Sequence, residues 1–207
     1  MTVLPLTYAG NLLWWKEFAY GDCIIDIHEN YVKQTLRNRC EILTPSGRAS
    51  LTVQVAGCKG VSTPARDIRI DYSKRWQHRH CKALLSAYGK APNYEHYCGL
   101  FLPLLTRRWE FLADLNLALA EAAAGIAAPE RRLVFSERYI KPEEAGRDLR
   151  GAFSPRLAPA QSPTAPYCQV FSDRLPFEPN LSVLDLIFCE GPGARALLSD
   201  GGRPYKD

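Results

Sequence analysis

Asp26, His80 and the Arg37–Asn38–Arg39 element are the residues of this chain whose types and surroundings could do chemistry. Asp26 sits in an apolar stretch, Cys23 to His28, among Ile24, Ile25 and Ile27. A carboxylate in such company needs a charged or hydrogen-bonding partner. With His28, Glu29 and the two arginines following so soon, Asp26 reads as a site residue, a group that could deprotonate an attacking amine or hydroxyl. His80 projects from the middle of a stripe formed by Trp76, Ala83, Leu84, Ala87 and Tyr88 at about 100° per residue. Two readings stay open for it: a core histidine bonded to a backbone carbonyl, or a general base facing a pocket.

The cations form a second group. Residues 66–82 hold Arg66, Arg69, Lys74, Arg75, Arg79 and Lys82 against Asp67 and Asp71, an excess of four that equals the formal +4 of the whole chain. Arginine forks bind carboxylate or phosphate bidentately. If this segment converges with Lys33, Arg37 and Arg39, the result is an anion site suited to a nucleotide or phosphorylated substrate; otherwise it is a solvated helix face. Tyr31, Tyr72 and Trp76 interleave with the charges and would stack on a base or sugar, or else belong to the core. Asn116 falls inside the stripe of Trp109, Leu112, Leu119 and Ala123, where an unpaired amide costs ~1–3 kcal/mol, so it needs a partner. Asp185 follows Ser182 by three residues, the form of a capping box with Asp in place of Glu.

Other chemistries lack their signals. His78, His80, Cys81, His96 and Cys98 are close in sequence, but their spacing misses the i, i+4 pattern of helical metal ligands, so no metal and no cofactor are expected. The seven cysteines include no C-x-x-C pair, which argues for free thiols in a reducing compartment. A thiol nucleophile at Cys40 or Cys23 would need an activating histidine within reach. No dinucleotide, phosphate-loop or serine-hydrolase fingerprint occurs.

These residues must be positioned by 207 residues, a length that fits one domain. No apolar run reaches the ~18 residues of a membrane span, and the opening has no leader pattern, so a cytoplasmic location is expected. Strand, helix and strand are expected over 2–8, 12–20 and 23–28, with Asn11 capping the helix and Gly21 ending it. A hairpin follows, with arms near 40–43 and 50–55 and Pro45 and Gly47 in its turn. Gly57, Gly60 and Pro64 mark a loop, and 66–70 is a strand candidate. Two long helices are expected near 74–90 and 106–125, with a shorter one near 93–103. Residues 133–135 and 167–171 are further strand candidates, and 182–189 is a helix with another starting near Pro192. The pattern amounts to an α/β fold: a mixed sheet with an opening β-α-β unit and a hairpin, packed against a helical half. One domain, 1–207, would comprise a sheet region (1–72), a helical region (73–126), a loop or partly disordered connector (141–166) and a C-terminal strand and helices (167–199).

The order of these segments resembles the WbqC-like protein family, in its shorter, Bacteroides-type branch. The matching stretches are Asp26 to Arg39, Leu51 to Val55, Trp76 with His80, Tyr88 with Ala91, Pro92 and Tyr94, Trp109 to Asn116, and Pro179 to Phe188 with Gly191 and Pro192. The longer members open with a His-Gln-Pro-type motif where this chain has Leu4 to Tyr8, and their glycine-rich stretch has no counterpart in 141–166. The resemblance implies a role in surface-polysaccharide (O-antigen-like or capsule) biosynthesis, with transfer of glycine or another acyl group to a nucleotide-linked amino sugar. It brings Asn180 and Asp185 into the candidate binding set.

The expected transferase uses His80 or Asp26 as base. Arg37, Arg39, Lys33 and Arg75 hold phosphate, Tyr31 and Trp76 stack, Asn38 and Asn116 orient the acceptor, and Asn180 and Asp185 complete the binding set. The alternative is a non-catalytic module for an anionic ligand, nucleotide sugar or nucleic acid. The expected partner is a small phosphate-bearing sugar, with neither membrane nor nucleic acid.

Overall fold

The computed structural model describes residues 1–57, 62–153 and 164–200. It opens with a parallel unit: strand β1 (Thr2–Pro5), helix α1 (Leu12–Tyr20) and strand β2 (Cys23–Asp26). β1 and β2 pair in register from Thr2 opposite Cys23 to Pro5 opposite Asp26. A nine-residue helix between parallel strands needs firm ends. Asn11 supplies one, its side chain accepting from the Trp14 backbone N–H at 3.0 Å. Trp14 and Phe18 then stack four residues apart, with Trp15 edge-on to both, and all three are buried.

The hairpin is present as strands β3 (Arg39–Thr44) and β4 (Gly47–Thr52), turning through Pro45 and Ser46. Gly47 has φ +97°, a conformation that costs a side-chain-bearing residue energy and glycine almost none. The hairpin is not hydrogen-bonded into the parallel sheet, so the strands form two separate groups rather than one continuous sheet.

Three helices follow: α2 (Trp76–Tyr88), α3 (Tyr94–Thr106) and α4 (Leu112–Ala127). α3 is as long as α2, although the middle helix reads as the shorter in sequence. Its sequence hides this because Pro103 lies inside it, near the last turn. The candidate strand at 66–70 is instead a 3₁₀ turn (Ala65–Asp67), after which Ile70 bridges to Val55 and Arg69 to Phe111.

The segment read as a connector enters the sheet. Strand β5 (Arg147–Asp148) pairs parallel with β1, giving the order β2-β1-β5. Val134 and Ser136 hydrogen-bond Ile25 on the opposite side of β2. The remaining part of that connector, residues 154–163, lies outside the described residues, as do Cys58 and Gly60. Residues 167–171 form no strand. Helices α5 (Val183–Glu190) and α6 (Ala194–Ser199) close the domain, with Ser182 capping α5. The largest fully buried side chains include Trp14, Trp15, Trp76, Tyr88, Phe101 and Phe188, so one aromatic-rich core joins the sheet to the helices. Among the described residues, no helix is long and apolar enough to cross a membrane.

Candidate functional site

Asp26 ends β2 with no exposed surface. Its Oδ1 accepts from the His28 backbone N–H and the Ser136 hydroxyl, both at 2.9 Å. Its Oδ2 accepts from the Arg150 guanidinium at 2.6 Å and the Ile140 N–H at 3.3 Å. An ionised carboxylate offers about four acceptor positions, and here all are taken. Asp26 therefore has no free lone pair aimed at a substrate. Its catalytic reading is corrected to that of an anchor, tying β2 to segments 136–140 and 147–150.

Arg150 is the partner that the Asp26 argument demands but does not name. It also grips Asp148 through two bonds, of 2.9 and 2.6 Å, and lies 4.9 Å over the Tyr139 ring. These bonds, chiefly those from Asp148, push its already high pKa further up, while the same pairing holds the Asp148 carboxyl below the usual range. No sequence pattern marks Arg150, because the stretch around it is irregular.

A second buried pair adjoins the first. Arg37 meets Glu29 through both nitrogens of its fork, and also donates to the Arg150 carbonyl oxygen at 3.2 Å. Burial pushes the Glu29 carboxyl up, and Arg37 opposes that shift. Arg37 is thus spent on an internal carboxylate, and its anion-binding reading is corrected. Asn116 donates to the Arg37 carbonyl at 2.7 Å, while its own buried Oδ1 has no partner. Tyr31, Arg37 and Asn116 line a small cavity of about 10 Å³, room for at most one water.

Tyr31 also lines an open groove of about 350 Å³ on the other side of this network. Its remaining walls are Lys33, Gln34, Asn38, Arg39, Thr52, Val53, Gln54, Val55 and Gly57. Four candidate residues therefore meet: Tyr31, Lys33, Asn38 and Arg39. Arg39 forms no ion pair among the described residues, and its buried Nε has no hydrogen-bond partner. Asn38 donates to the Val53 carbonyl at 3.0 Å, leaving its buried Oδ1 unpaired. A buried donor and a buried acceptor are both left for something else to satisfy. Gln34 adopts φ +59°, rare for a side-chain-bearing residue and a form of strain that gathers at functional sites. Neither Gln34 nor Gln54 carries a signal in the sequence.

The other candidates lie elsewhere. His80 is buried, its Nδ1 bonded to the Tyr8 hydroxyl at 2.8 Å and its ring edge-on to Trp76. Burial lowers its pKa to about 4, against a hydrogen bond from the ring to the Thr52 backbone that works to raise it. Its general-base reading is corrected to the core histidine. Trp76 has no exposed surface on which a base or sugar could stack, so its stacking reading is corrected to a core residue. Arg75 is exposed at the start of α2 and does not line the groove.

Asn180 caps the start of α1, accepting from the Leu13 N–H at 2.9 Å, and holds φ +57° to do so. Its binding role is corrected accordingly. Replacing it with alanine should cost about 1–3 kcal/mol, combining a lost cap with left-handed backbone strain. Replacement with glycine should recover most of the strain component, which thermal melts of the two variants will separate.

Asp185 is neither a cap nor a ligand group. The Ser182 N–H goes to the Glu41 carbonyl instead, and the Asp185 carboxyl is buried against Tyr88 (2.8 Å), Tyr167 (2.5 Å) and Gln169 (3.2 Å). All three donors are neutral, so burial raises its pKa. Cys40 is buried and its thiol is pushed up by burial, while the Cys23 thiol donates to the Glu17 carbonyl at 3.3 Å. Neither is placed as a nucleophile. Among the described residues, no three His, Cys, Asp or Glu side chains come together at metal-binding distance.

The fold and site define a small α/β domain in which buried ion pairs brace a cation-lined groove. The chain belongs to the WbqC-like protein family, which it matches over residues 19–150 of 207. The match runs from α1 to Arg150, and so takes in Asp26, the groove and both buried ion pairs. No curated protein and no solved structure matches the chain.

Proposed function

We propose that the groove walled by Lys33, Asn38 and Arg39 binds a phosphate-bearing sugar, and that the chain serves acyl or aminoacyl transfer to a nucleotide-linked amino sugar in surface-polysaccharide assembly. The observation that carries the binding step is the pair of unsatisfied groups, the Arg39 Nε–H and the Asn38 Oδ1, beside the exposed Lys33 ammonium. A phosphate oxygen satisfies the first, and a sugar hydroxyl or amine N–H the second. Tyr31 offers a half-buried ring at the same wall. The polysaccharide context is what the resemblance to the family implies.

A second reading is favoured by the groove's chemistry. The described residues lining it include no His, Cys, Asp or Glu, which leaves Lys33 and Tyr31 as its general-base candidates. A module that binds the sugar and presents it to another protein needs no such group.

The test is a thermal-shift panel of UDP- and dTDP-linked amino sugars. Ligand at about 100 times its Kd adds ~2.7 kcal/mol, a rise of about 5–10 °C for a chain of this size. Arg39→Gln should abolish the rise without lowering the ligand-free Tm. A shift seen equally in that variant sinks the groove assignment. Mass-spectrometric acyl transfer onto the shifting sugar separates enzyme from binding module.

A further inference from the structure

The basic segment does not converge on the groove. Its six cations divide into two sets. Arg66 pairs with Asp67 at 3.6 Å, and Arg69 pairs with Glu110. Lys74, Arg75, Arg79 and Lys82 are exposed and form no ion pair among the described residues. Arg75, Arg79 and Lys82, with His78, recur at i, i+4, i+7 and i+3 along one side of α2, a helix with no acidic residue.

Two more cations join them. The Gln77 amide donates to the carbonyls of Leu105, Thr106 and Arg107 at 2.8, 2.9 and 2.8 Å, locking the start of α2 to the end of α3. Arg107 and Arg108 are thereby held beside α2. They lie 4.1 Å over the Trp109 ring and 4.4 Å over the Tyr72 ring, respectively. Neither forms an ion pair among the described residues. Asp71, the nearby acid, is bonded twice to Ser73.

Two exposed leucines accompany the cations on these helices. The outer side of α3 shows His96, Gly99, Leu100 and Pro103, with Glu95 its one acid. Leu85 on α2 is 59% exposed and Leu100 on α3 is 44% exposed. Unpaired cations alongside exposed leucines are the two signals of a surface that lies on a bilayer: charge for anionic headgroups and apolar side chains for the acyl boundary. A single-stranded nucleic acid would want free aromatic faces for its bases. Here Arg107 and Arg108 already cover Trp109 and Tyr72, and the leucines would have no role.

We propose that the α2–α3 face docks on an anionic lipid bilayer, a membrane partner that the sequence alone does not suggest. It is separate from the groove and independent of what the groove binds. The experiment is co-sedimentation of the full chain with vesicles of phosphatidylcholine mixed with phosphatidylglycerol, and of phosphatidylcholine alone. Binding should require the anionic lipid and weaken with salt. Each cation near such a surface contributes ≈ 1 kcal/mol, so Arg75→Gln/Arg79→Gln/Lys82→Gln should bind about 100-fold more weakly. These side chains are exposed, so the Tm should not move. Leu85→Ser/Leu100→Ser should also weaken binding, at unchanged charge. Equal binding to neutral vesicles overturns the proposal, as does wild-type binding by the glutamine variant. Tighter binding to a single-stranded oligonucleotide, indifferent to the two leucines, would assign the face to nucleic acid instead.

Discussion

Replacing Arg150 with methionine is expected to cost about 3–5 kcal/mol of folding stability, because it strands the fully buried Asp26 carboxylate. Methionine keeps much of the arginine stem's volume, so the loss reads the charge rather than a cavity. Asp26 would keep three neutral donors, His28 N–H, Ser136 Oγ–H and Ile140 N–H, which do not offset a buried negative charge. For a chain of this length the loss corresponds to a fall in Tm of about 10 °C. The double variant Asp26→Asn/Arg150→Met removes both charges and should be more stable than Arg150→Met alone. Urea melts of wild type, both single variants and the double close the cycle. A loss below about 1 kcal/mol in Arg150→Met would show that the pair is not buried as described.

The same pair shows what local sequence carries and what it does not. The opening β-α-β unit was legible because its evidence is local: an N-cap at Asn11, a Trp and Phe stripe, a terminal Gly21 and an isoleucine-rich strand. The hairpin was legible from Pro45 and Gly47. Asp26 was legible as a residue needing a partner, since a carboxylate among isoleucines is a conflict visible in one window. Its partner was not, because Arg150 lies 124 residues away in a stretch with no periodicity. β5 was hidden for the same reason: two residues paired to β1 have no pattern of their own.

The candidate site divided along physical lines. Lys33, Asn38 and Arg39 meet at one groove because β3 begins at Arg39 and the loop before it turns back through Gln34. Arg37, two residues away, lies in the turn before β3 rather than on the strand, so no strand periodicity sets its direction; its ion pair with Glu29 holds it inward. Arg75 was grouped with them by charge alone, and charge has no direction in a sequence. Its helix carries it to a different face, where it joins Arg107 and Arg108. Asn180 and Asp185 were polar residues beside apolar ones, which sequence cannot divide between ligand contacts and internal ties.

His80 makes the second large prediction, and its sign separates a core histidine from a catalytic one. Its pKa is lowered by burial from 6.5 to about 4. Between those values the unfolded chain binds a proton that the folded chain refuses, so stability falls as pH falls and levels off below about pH 4. The drop attributable to this residue is about 3 kcal/mol. Glu29 and Asp185 act in the opposite sense, since burial raises their folded pKa values and the folded chain takes up their protons first. The comparison that isolates His80 is therefore wild type against His80→Gln. At pH 7 the variant should be about 1–3 kcal/mol less stable, having lost the fit between Tyr8 and the Thr52 backbone. Towards pH 4 the two stability curves should approach or cross, because glutamine has no proton to bind. Parallel curves across that range would mean that His80 titrates normally in the folded chain, and the general-base reading would return.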